Sequence, residues 1–119
     1  MVKLFLVEDH KVMRKSLIAL LEKENDFVVM GEAESGEEAM SMLEDVTPDI
    51  LLIDISMPKM DGLTLLKKVR NRWPDIPCLI LSGHAESVYG EQARAAGALG
   101  YIDKRRVREI VPTIRSVLN

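Results

Sequence analysis

Short apolar runs alternate with longer amphipathic stretches five times along this chain, and few folds accommodate that pattern. The runs are rich in branched residues and occupy residues 2–7, 27–32, 50–54, 77–82 and 98–102. Short runs that are apolar on both faces are typical of parallel strands buried on both sides. Between them, apolar residues recur at helical spacing. The alternation predicts one α/β domain, in which right-handed crossovers join a parallel sheet covered by helices.

Two details bear on the predicted helices. Ser35, followed three residues later by Glu38, has the spacing of a capping box and predicts the start of the second helix. Pro112 lies inside the last amphipathic stretch, where a proline removes a helical hydrogen bond and clashes with the preceding turn. Either that helix starts late, with Pro112 in its first turn, or it is kinked there.

Composition narrows the class of protein. The 119 residues suffice for one core, and a hydrophobic content of 47% favours a packed domain over disorder. The net charge of −3 argues against direct nucleic-acid binding. No apolar stretch approaches the roughly 20 residues of a membrane span, and no signal peptide is visible. The single cysteine, Cys78, is expected to be a buried thiol, and we expect a cytoplasmic protein.

Four of the apolar runs end in polar side chains. Glu8 and Asp9 follow the first run, Asp54 ends the third, Ser82 ends the fourth and Lys104 follows the fifth. In parallel sheets, ligands bind beyond the carboxyl ends of the strands. The sequence therefore predicts that these side chains share one site at that edge of the sheet.

The residue types at these strand ends suit phosphoryl chemistry. Three carboxylates offer only oxygen ligands, which favour a hard cation, above all Mg²⁺. A lysine and a hydroxyl could stabilise a phosphoryl group, and one carboxylate could be the nucleophile that forms an aspartyl phosphate. Each residue alone also has an ordinary structural explanation. Glu8 and Asp9 could cap a helix, Asp54 could form a turn, Ser82 could be a helix cap and Lys104 could be solvated.

Several segments together resemble the CheY-like receiver domain of bacterial two-component response regulators, across essentially the whole chain. The resemblance is carried by the segments 6–10, 49–58, 60–62, 80–82 and 96–104. Residues 9–10, 30–33 and 97–101 further resemble the receivers of LuxR/NarL-type regulators. The resemblance implies a flavodoxin-like (βα)5 three-layer sandwich with the strand order 2-1-3-4-5.

The resemblance also implies roles for the residues at the strand ends. Asp54 would accept a phosphoryl group from a histidine kinase. Asp9, Asp54 and the Ser56 backbone carbonyl would hold Mg²⁺, and Glu8 would act mostly through water. Lys104 would pair with Asp54 or its phosphate.

Three further positions concern the response to phosphorylation. Ser82 would move to bond the phosphate, and Tyr101 would turn inward, although an aromatic residue on the last strand could equally be core. His84 would tune the phosphoryl lifetime, or it is simply an exposed loop residue. Arg105 stands where the family commonly has a proline after the lysine, so the Lys104–Arg105 bond is either trans or a strained cis bond.

The function implied is a phosphorylation switch within residues 1–119, not a turnover enzyme, that controls an output such as transcription. Its partners would be a sensor histidine kinase, a second receiver in a homodimer, and a helix-turn-helix DNA-binding domain outside this chain. One alternative is a small Mg²⁺-dependent phosphohydrolase that uses an aspartyl phosphate, although Ser56 stands where such enzymes generally need a second acid. Another is a pseudo-receiver that works by protein contact without phosphate.

Overall fold

The computed structural model describes residues 1–119 and contains one sheet of five parallel strands. The strands are β1 (Val2–Val7), β2 (Phe27–Ala33), β3 (Ile50–Asp54), β4 (Cys78–Ser82) and β5 (Gly100–Asp103). Their order is β2-β1-β3-β4-β5, and all neighbouring pairs are parallel. The predicted fold and strand order are therefore confirmed.

Five α-helices alternate with the strands and cover both faces of the sheet. They are α1 (Lys11–Leu21), α2 (Gly36–Leu43), α3 (Gly62–Arg72), α4 (Glu86–Ala95) and α5 (Ile110–Leu118). Side chains from α1 and α5 pack on one face of the sheet, and side chains from α2, α3 and α4 pack on the other. The result is a three-layer sandwich with a hydrophobic core on each side of the sheet.

The central strand shows why its whole sequence is apolar. Ile50 and Leu52 belong to the core beneath α1 and α5, whereas Leu51 and Ile53 belong to the core beneath α2, α3 and α4. Successive side chains of a strand point to opposite faces, so a strand covered on both sides needs an apolar residue at every position. Asp54 interrupts this rule at the point where β3 ends.

The ends of the helices follow local chemistry. The Ser35 hydroxyl accepts a hydrogen bond from the Glu38 backbone N–H at 3.1 Å, which confirms the predicted start of α2. A short 3₁₀ turn, Val107–Glu109, precedes α5, and Pro112 lies in the first turn of that helix. The missing proline N–H is tolerated there because the first N–H groups of a helix have no partner within it.

The last strand begins two residues later than predicted, at Gly100, and extends to Asp103. Gly97 ends the preceding helix with a φ of +107°, a left-handed conformation that glycine adopts readily. The Ala98 N–H then returns to the Ala93 carbonyl at 3.0 Å, so Ala98 completes the end of the helix. Apolar residues in such a turn are indistinguishable from a strand by pattern alone.

Two smaller predictions also concern the body of the fold. Cys78 is fully buried on β4, and burial raises the pKa of its thiol to about 12. The interpretation of this residue as a buried, unreactive thiol is consistent with that environment. None of the helices has the length and apolar character required to cross a membrane.

Candidate functional site

The register of the sheet brings the polar strand ends to one edge. Val7 at the end of β1 pairs with Ile53, so Glu8 and Asp9 follow β1 beside the end of β3. Asp54 pairs with Leu81, and Ser82 pairs with Asp103, the residue before Lys104. The five residues predicted from the ends of the apolar runs therefore lie at the same edge of the sheet.

Three carboxylates form the centre of the site. Oxygen atoms of Glu8, Asp9 and Asp54 all lie within 4.8 Å of one another. Glu8 and Asp54 are buried, whereas Asp9 is partly exposed. Glu8 Oε1 is buried and accepts no hydrogen bond of normal geometry, and its close neighbour is the Lys104 ammonium group. A cluster of three carboxylates that offers only oxygen donors fits a hard divalent cation such as Mg²⁺.

Lys104 supplies the positive charge of the site. Its Nζ lies 2.5 Å from Glu8 Oε1 and 2.9 Å from Asp54 Oδ1, and its side chain is only 15% exposed. Its backbone N–H donates to the Ser82 carbonyl at 2.7 Å, which fixes where the side chain begins. Burial alone would lower the pKa of Lys104, but pairing with the two carboxylates outweighs it and raises that pKa. All peptide bonds are trans, so a trans Lys104–Arg105 bond places the lysine in the site.

The surroundings of Asp54 disfavour the ionised form of its carboxyl group. Burial raises the pKa of its carboxyl group from 3.8 to about 7. Lys104 opposes this shift, and Glu8 adds to it. Its side chain is only 3% exposed, so water stabilises the charged form poorly.

The loop after β3 packs tightly against Asp54. The Ser56 N–H donates to Asp54 Oδ1 at 3.3 Å, so the Ser56 backbone lies beside the carboxylate, while the role of its carbonyl as a metal ligand stays a prediction. Gly62 opens α3, and its N–H donates to the Ile55 carbonyl at 2.9 Å. A Cβ atom at Gly62 would collide with the Asp54 carbonyl oxygen and lie 2.6 Å from Ile55 Cα. Only glycine allows this close approach without a shift of the Asp54 backbone.

The predicted switch residues are linked through the β4–α4 loop. Ser82 is fully buried, and its Oγ accepts a hydrogen bond from the His84 N–H at 2.9 Å. The Tyr101 hydroxyl donates to the His84 carbonyl at 3.0 Å. Burial raises the pKa of the Tyr101 hydroxyl. The loop between Ser82 and α4 is therefore bonded to both residues.

The His84 side chain itself faces α4. It is exposed, and its ring lies edge-on to the Tyr89 ring with the centroids 5.2 Å apart. It forms no hydrogen bond with the Asp54 carboxylate. Its predicted influence on a phosphoryl group stays a prediction.

One residue beside the site was absent from the sequence-based prediction. Arg14, on α1, is only 8% exposed, and its guanidinium donates to the Glu8 carbonyl oxygen. The sequence does contain one indication that Arg14 is buried. It precedes the buried Leu17 and Leu21 by three and seven residues, which places all three on the same face of α1. An arginine in a buried stripe needs a polar partner.

A 2-1-3-4-5 parallel sheet with acidic groups and a lysine at its carboxyl edge defines a flavodoxin-like domain of the receiver type. Comparison with known families gives the same result. Residues 4–115 match the family described as the response regulator receiver domain. The chain belongs to this family and is the receiver domain of a two-component response regulator.

Individual relatives place the chain near transcriptional regulators. It is 39% identical over 104 residues to the DNA-binding transcriptional activator DevR/DosR of Mycobacterium tuberculosis, covering 87% of this chain and 48% of that protein. It is 34% identical over 118 residues to the response regulator UvrY of Escherichia coli, covering 98% of this chain and 54% of that protein. The chain thus spans about half the length of these curated relatives.

Solved structures agree with the fold. A LuxR-family DNA-binding response regulator from Staphylococcus aureus is 29% identical, with a TM-score of 0.91 and full coverage of both chains. The receiver domain of the NarL response regulator from Mycobacterium tuberculosis is 30% identical, with a TM-score of 0.89 and coverage of 98% of this chain and 95% of that one. The predicted similarity to LuxR/NarL-type receivers is confirmed.

Proposed function

We propose that this receiver is a Mg²⁺-dependent phosphoacceptor and that Asp54 is the residue phosphorylated by a histidine kinase. The observation that carries the proposal is the convergence of Glu8, Asp9 and Lys104 on the Asp54 carboxylate. A structural aspartate at the end of a strand would not need two further acids and a buried lysine around it. Phosphoryl transfer depends mainly on positioning and charge neutralisation, and these groups supply both.

The reaction proposed is a single displacement at phosphorus. An ionised Asp54 oxygen forms a bond to the phosphorus of a phosphohistidine, and the P–N bond breaks. The electron pair stays on the departing imidazole nitrogen, which takes up a proton from solvent. Asp9, Asp54 and the Ser56 carbonyl would hold Mg²⁺, and Glu8 would act mostly through water; the cation when bound neutralises charge on the phosphoryl oxygens. Lys104 is placed to pair with the new phosphate.

Phosphorylation would change the conformation of the loop between β4 and α4. Ser82 would bond the phosphate of Asp54, and Tyr101 would respond because both residues bond the same short loop. His84, in that loop, would tune the phosphoryl lifetime. The domain would thus assist its own phosphorylation and dephosphorylation, and phosphorylation would shift an equilibrium between two arrangements of α4 and β5.

The similarity to response regulators indicates which partners to expect. The kinase partner is a sensor histidine kinase, and the phosphorylated form would favour a receiver homodimer. Because the curated relatives are about twice as long and include a DNA-binding transcriptional activator, we propose a covalently linked helix-turn-helix domain outside residues 1–119. DNA contact would belong to that domain, since the receiver itself carries a net charge of −3.

Phosphorylation by a small-molecule donor tests the proposal directly. The protein is incubated with acetyl phosphate and Mg²⁺, and its intact mass is measured. We expect a gain of one phosphoryl group in the wild type and in Asp75→Asn, which alters an exposed aspartate on the α3–β4 loop. We expect no gain in Asp54→Asn or with EDTA. Phosphate retained in Asp54→Asn would contradict the assignment of the acceptor.

The same preparation separates the alternatives. Continuous release of phosphate from organic phosphates over many turnovers would indicate a phosphohydrolase instead. Absence of Mg²⁺ binding at millimolar concentration, together with no mass gain, would indicate a pseudo-receiver. A stoichiometric mass gain that decays after the donor is removed supports the switch.

A further inference from the structure

Arg14 joins the metal-binding turn to the edge strand of the sheet. Its Nη1 donates to the Glu8 carbonyl oxygen at 2.8 Å, and its Nε donates to Glu32 Oε1 at 2.9 Å. Arg14 lies on α1, whereas Glu32 lies on the edge strand β2. One guanidinium therefore connects α1, β2 and the turn after β1.

The bonded carbonyl occupies a sensitive position. It belongs to the peptide unit between Glu8 and Asp9, the two acids that accompany Asp54 in the cluster. The Glu8 N–H is already fixed by the Ala33 carbonyl at 3.0 Å. Both the N–H and the C=O of Glu8 are hydrogen-bonded, so the backbone of this turn is held in place, which fixes the points from which the Glu8 and Asp9 side chains extend.

The guanidinium geometry matters for this contact. Its nitrogens donate from fixed directions in one plane, so a carboxylate and a carbonyl can be held at once. Hydrogen bonding from Arg14 lowers the pKa of Glu32, which keeps that carboxylate ionised as the anchor. Lys15 offers a natural comparison. It also approaches Glu32, at 3.5 Å, but its side chain is 59% exposed and makes no hydrogen bond to Glu8.

We infer that Arg14 is a positioning residue that sets the Mg²⁺ affinity of the phosphorylation site by fixing the Glu8–Asp9 turn. This inference rests on the proposed function, because it concerns the cation that the same acids would hold. Groups that orient metal ligands typically change metal affinity about 10- to 100-fold when they are removed. Because the hydrogen bonds of Arg14 go to the Glu8 backbone carbonyl and to Glu32, it would act on the cation only through Glu8 and Asp9.

The test measures Mg²⁺ affinity by calorimetry and, separately, unfolding in EDTA. Arg14→Met removes both hydrogen bonds, and Lys15→Met is the matched control on the same helix. We expect the Kd for Mg²⁺ to rise about tenfold in Arg14→Met and to stay within about twofold of wild type in Lys15→Met. Arg14→Lys keeps the charge but cannot hold both partners, so we expect an intermediate Kd.

Kinetics add a result that a purely structural role would not produce. With acetyl phosphate as donor, the Mg²⁺ concentration for half-maximal phosphorylation should rise in Arg14→Met, while the rate at saturating Mg²⁺ stays near that of wild type. A lowered Tm with an unchanged Kd would overturn the inference. If Arg14→Met does not fold, Arg14→Lys decides in the same way, because a Kd equal to that of wild type overturns the inference and a raised Kd supports it.

The two proposals fail differently. A wild-type protein that binds no Mg²⁺ and gains no phosphate overturns the proposed function, and the Arg14 inference falls with it. A wild-type protein that does both, with Arg14 variants of unchanged Kd, overturns only the role of Arg14.

Discussion

Replacing Asp54 by asparagine should change how the stability of the metal-free protein depends on pH. Burial raises the Asp54 pKa from 3.8 to about 7. Between these values the folded protein keeps a proton that the unfolded chain has lost. The folded state then binds more protons, so the free energy of unfolding must fall as pH rises through this window.

The size of this pH-dependent loss of stability follows from the pKa shift of Asp54. Each pH unit between the two pKa values corresponds to about 1.4 kcal/mol. A folded pKa of about 7 therefore predicts a loss of about 2–3 kcal/mol between about pH 5 and about pH 8. The asparagine side chain of Asp54→Asn cannot ionise, so the variant should lack this component and be more stable than wild type at the upper end.

Urea unfolding in EDTA, followed at several pH values, measures the effect. The quantity compared is the difference between the pH profiles of wild type and Asp54→Asn, which share every other ionisable residue. Asp75→Asn, at an exposed site, should retain the wild-type slope. Millimolar Mg²⁺ should stabilise wild type more at the upper pH than at the lower, because a cation binds the ionised carboxylate. Equal slopes for wild type and Asp54→Asn in EDTA would refute the reasoning, since Asp54 would then ionise normally.

Three other substitutions can be tested by chemical unfolding. Lys104→Met removes the positive charge that pairs with Glu8 and Asp54. In EDTA it should lower the free energy of unfolding by about 3 kcal/mol at about pH 8 but by less at about pH 5, where Asp54 is protonated. An equal loss at both pH values would count against the ion pair. Gly62→Ala should lower the free energy of unfolding by about 2–3 kcal/mol because the added Cβ meets the Asp54 backbone. A Cβ at Gly83 would have no atom within 4 Å, so Gly83→Ala should change stability by under about 0.5 kcal/mol. Similar losses in the two variants would refute the steric argument. Lys59 has a φ of +65°, so Lys59→Gly should raise the free energy of unfolding by about 0.5 kcal/mol. Lys67→Gly, at an exposed position of α3, should lower it by about 1 kcal/mol. A loss of stability in Lys59→Gly would show that the left-handed conformation of Lys59 carries little strain.

Much of the site was predictable because parallel sheets obey a simple geometric rule. Once the apolar runs are recognised as parallel strands, their carboxyl ends share one edge, and the polar residues that follow them become neighbours. This rule places Glu8, Asp9, Asp54, Ser82 and Lys104 together without any knowledge of side-chain contacts. The strand order, by contrast, came from the family resemblance, because alternation alone does not say which strand lies in the centre.

The remaining features depend on contacts that a sequence does not display. An arginine at position 14 is compatible with a side chain that extends to solvent, and only the positions of Glu32 and the Glu8 carbonyl show that it turns inward. Gly62 looks like an ordinary turn glycine until the approach of the Asp54 backbone is seen. Likewise, the start of β5 was misplaced because the residues that complete the end of α4 are as apolar as the strand itself.

One electrostatic imbalance connects the stability of this domain with its proposed chemistry. Glu8 and Asp54 share a single buried lysine, so full ionisation of both leaves an excess negative charge where water is largely excluded. That excess disfavours the ionised Asp54 in the metal-free protein and, for the same reason, favours the binding of a divalent cation. A bound cation would therefore increase the fraction of Asp54 that is ionised and able to act as a nucleophile. Arg14, which holds the Glu8–Asp9 turn in place, should therefore influence how tightly the cation binds.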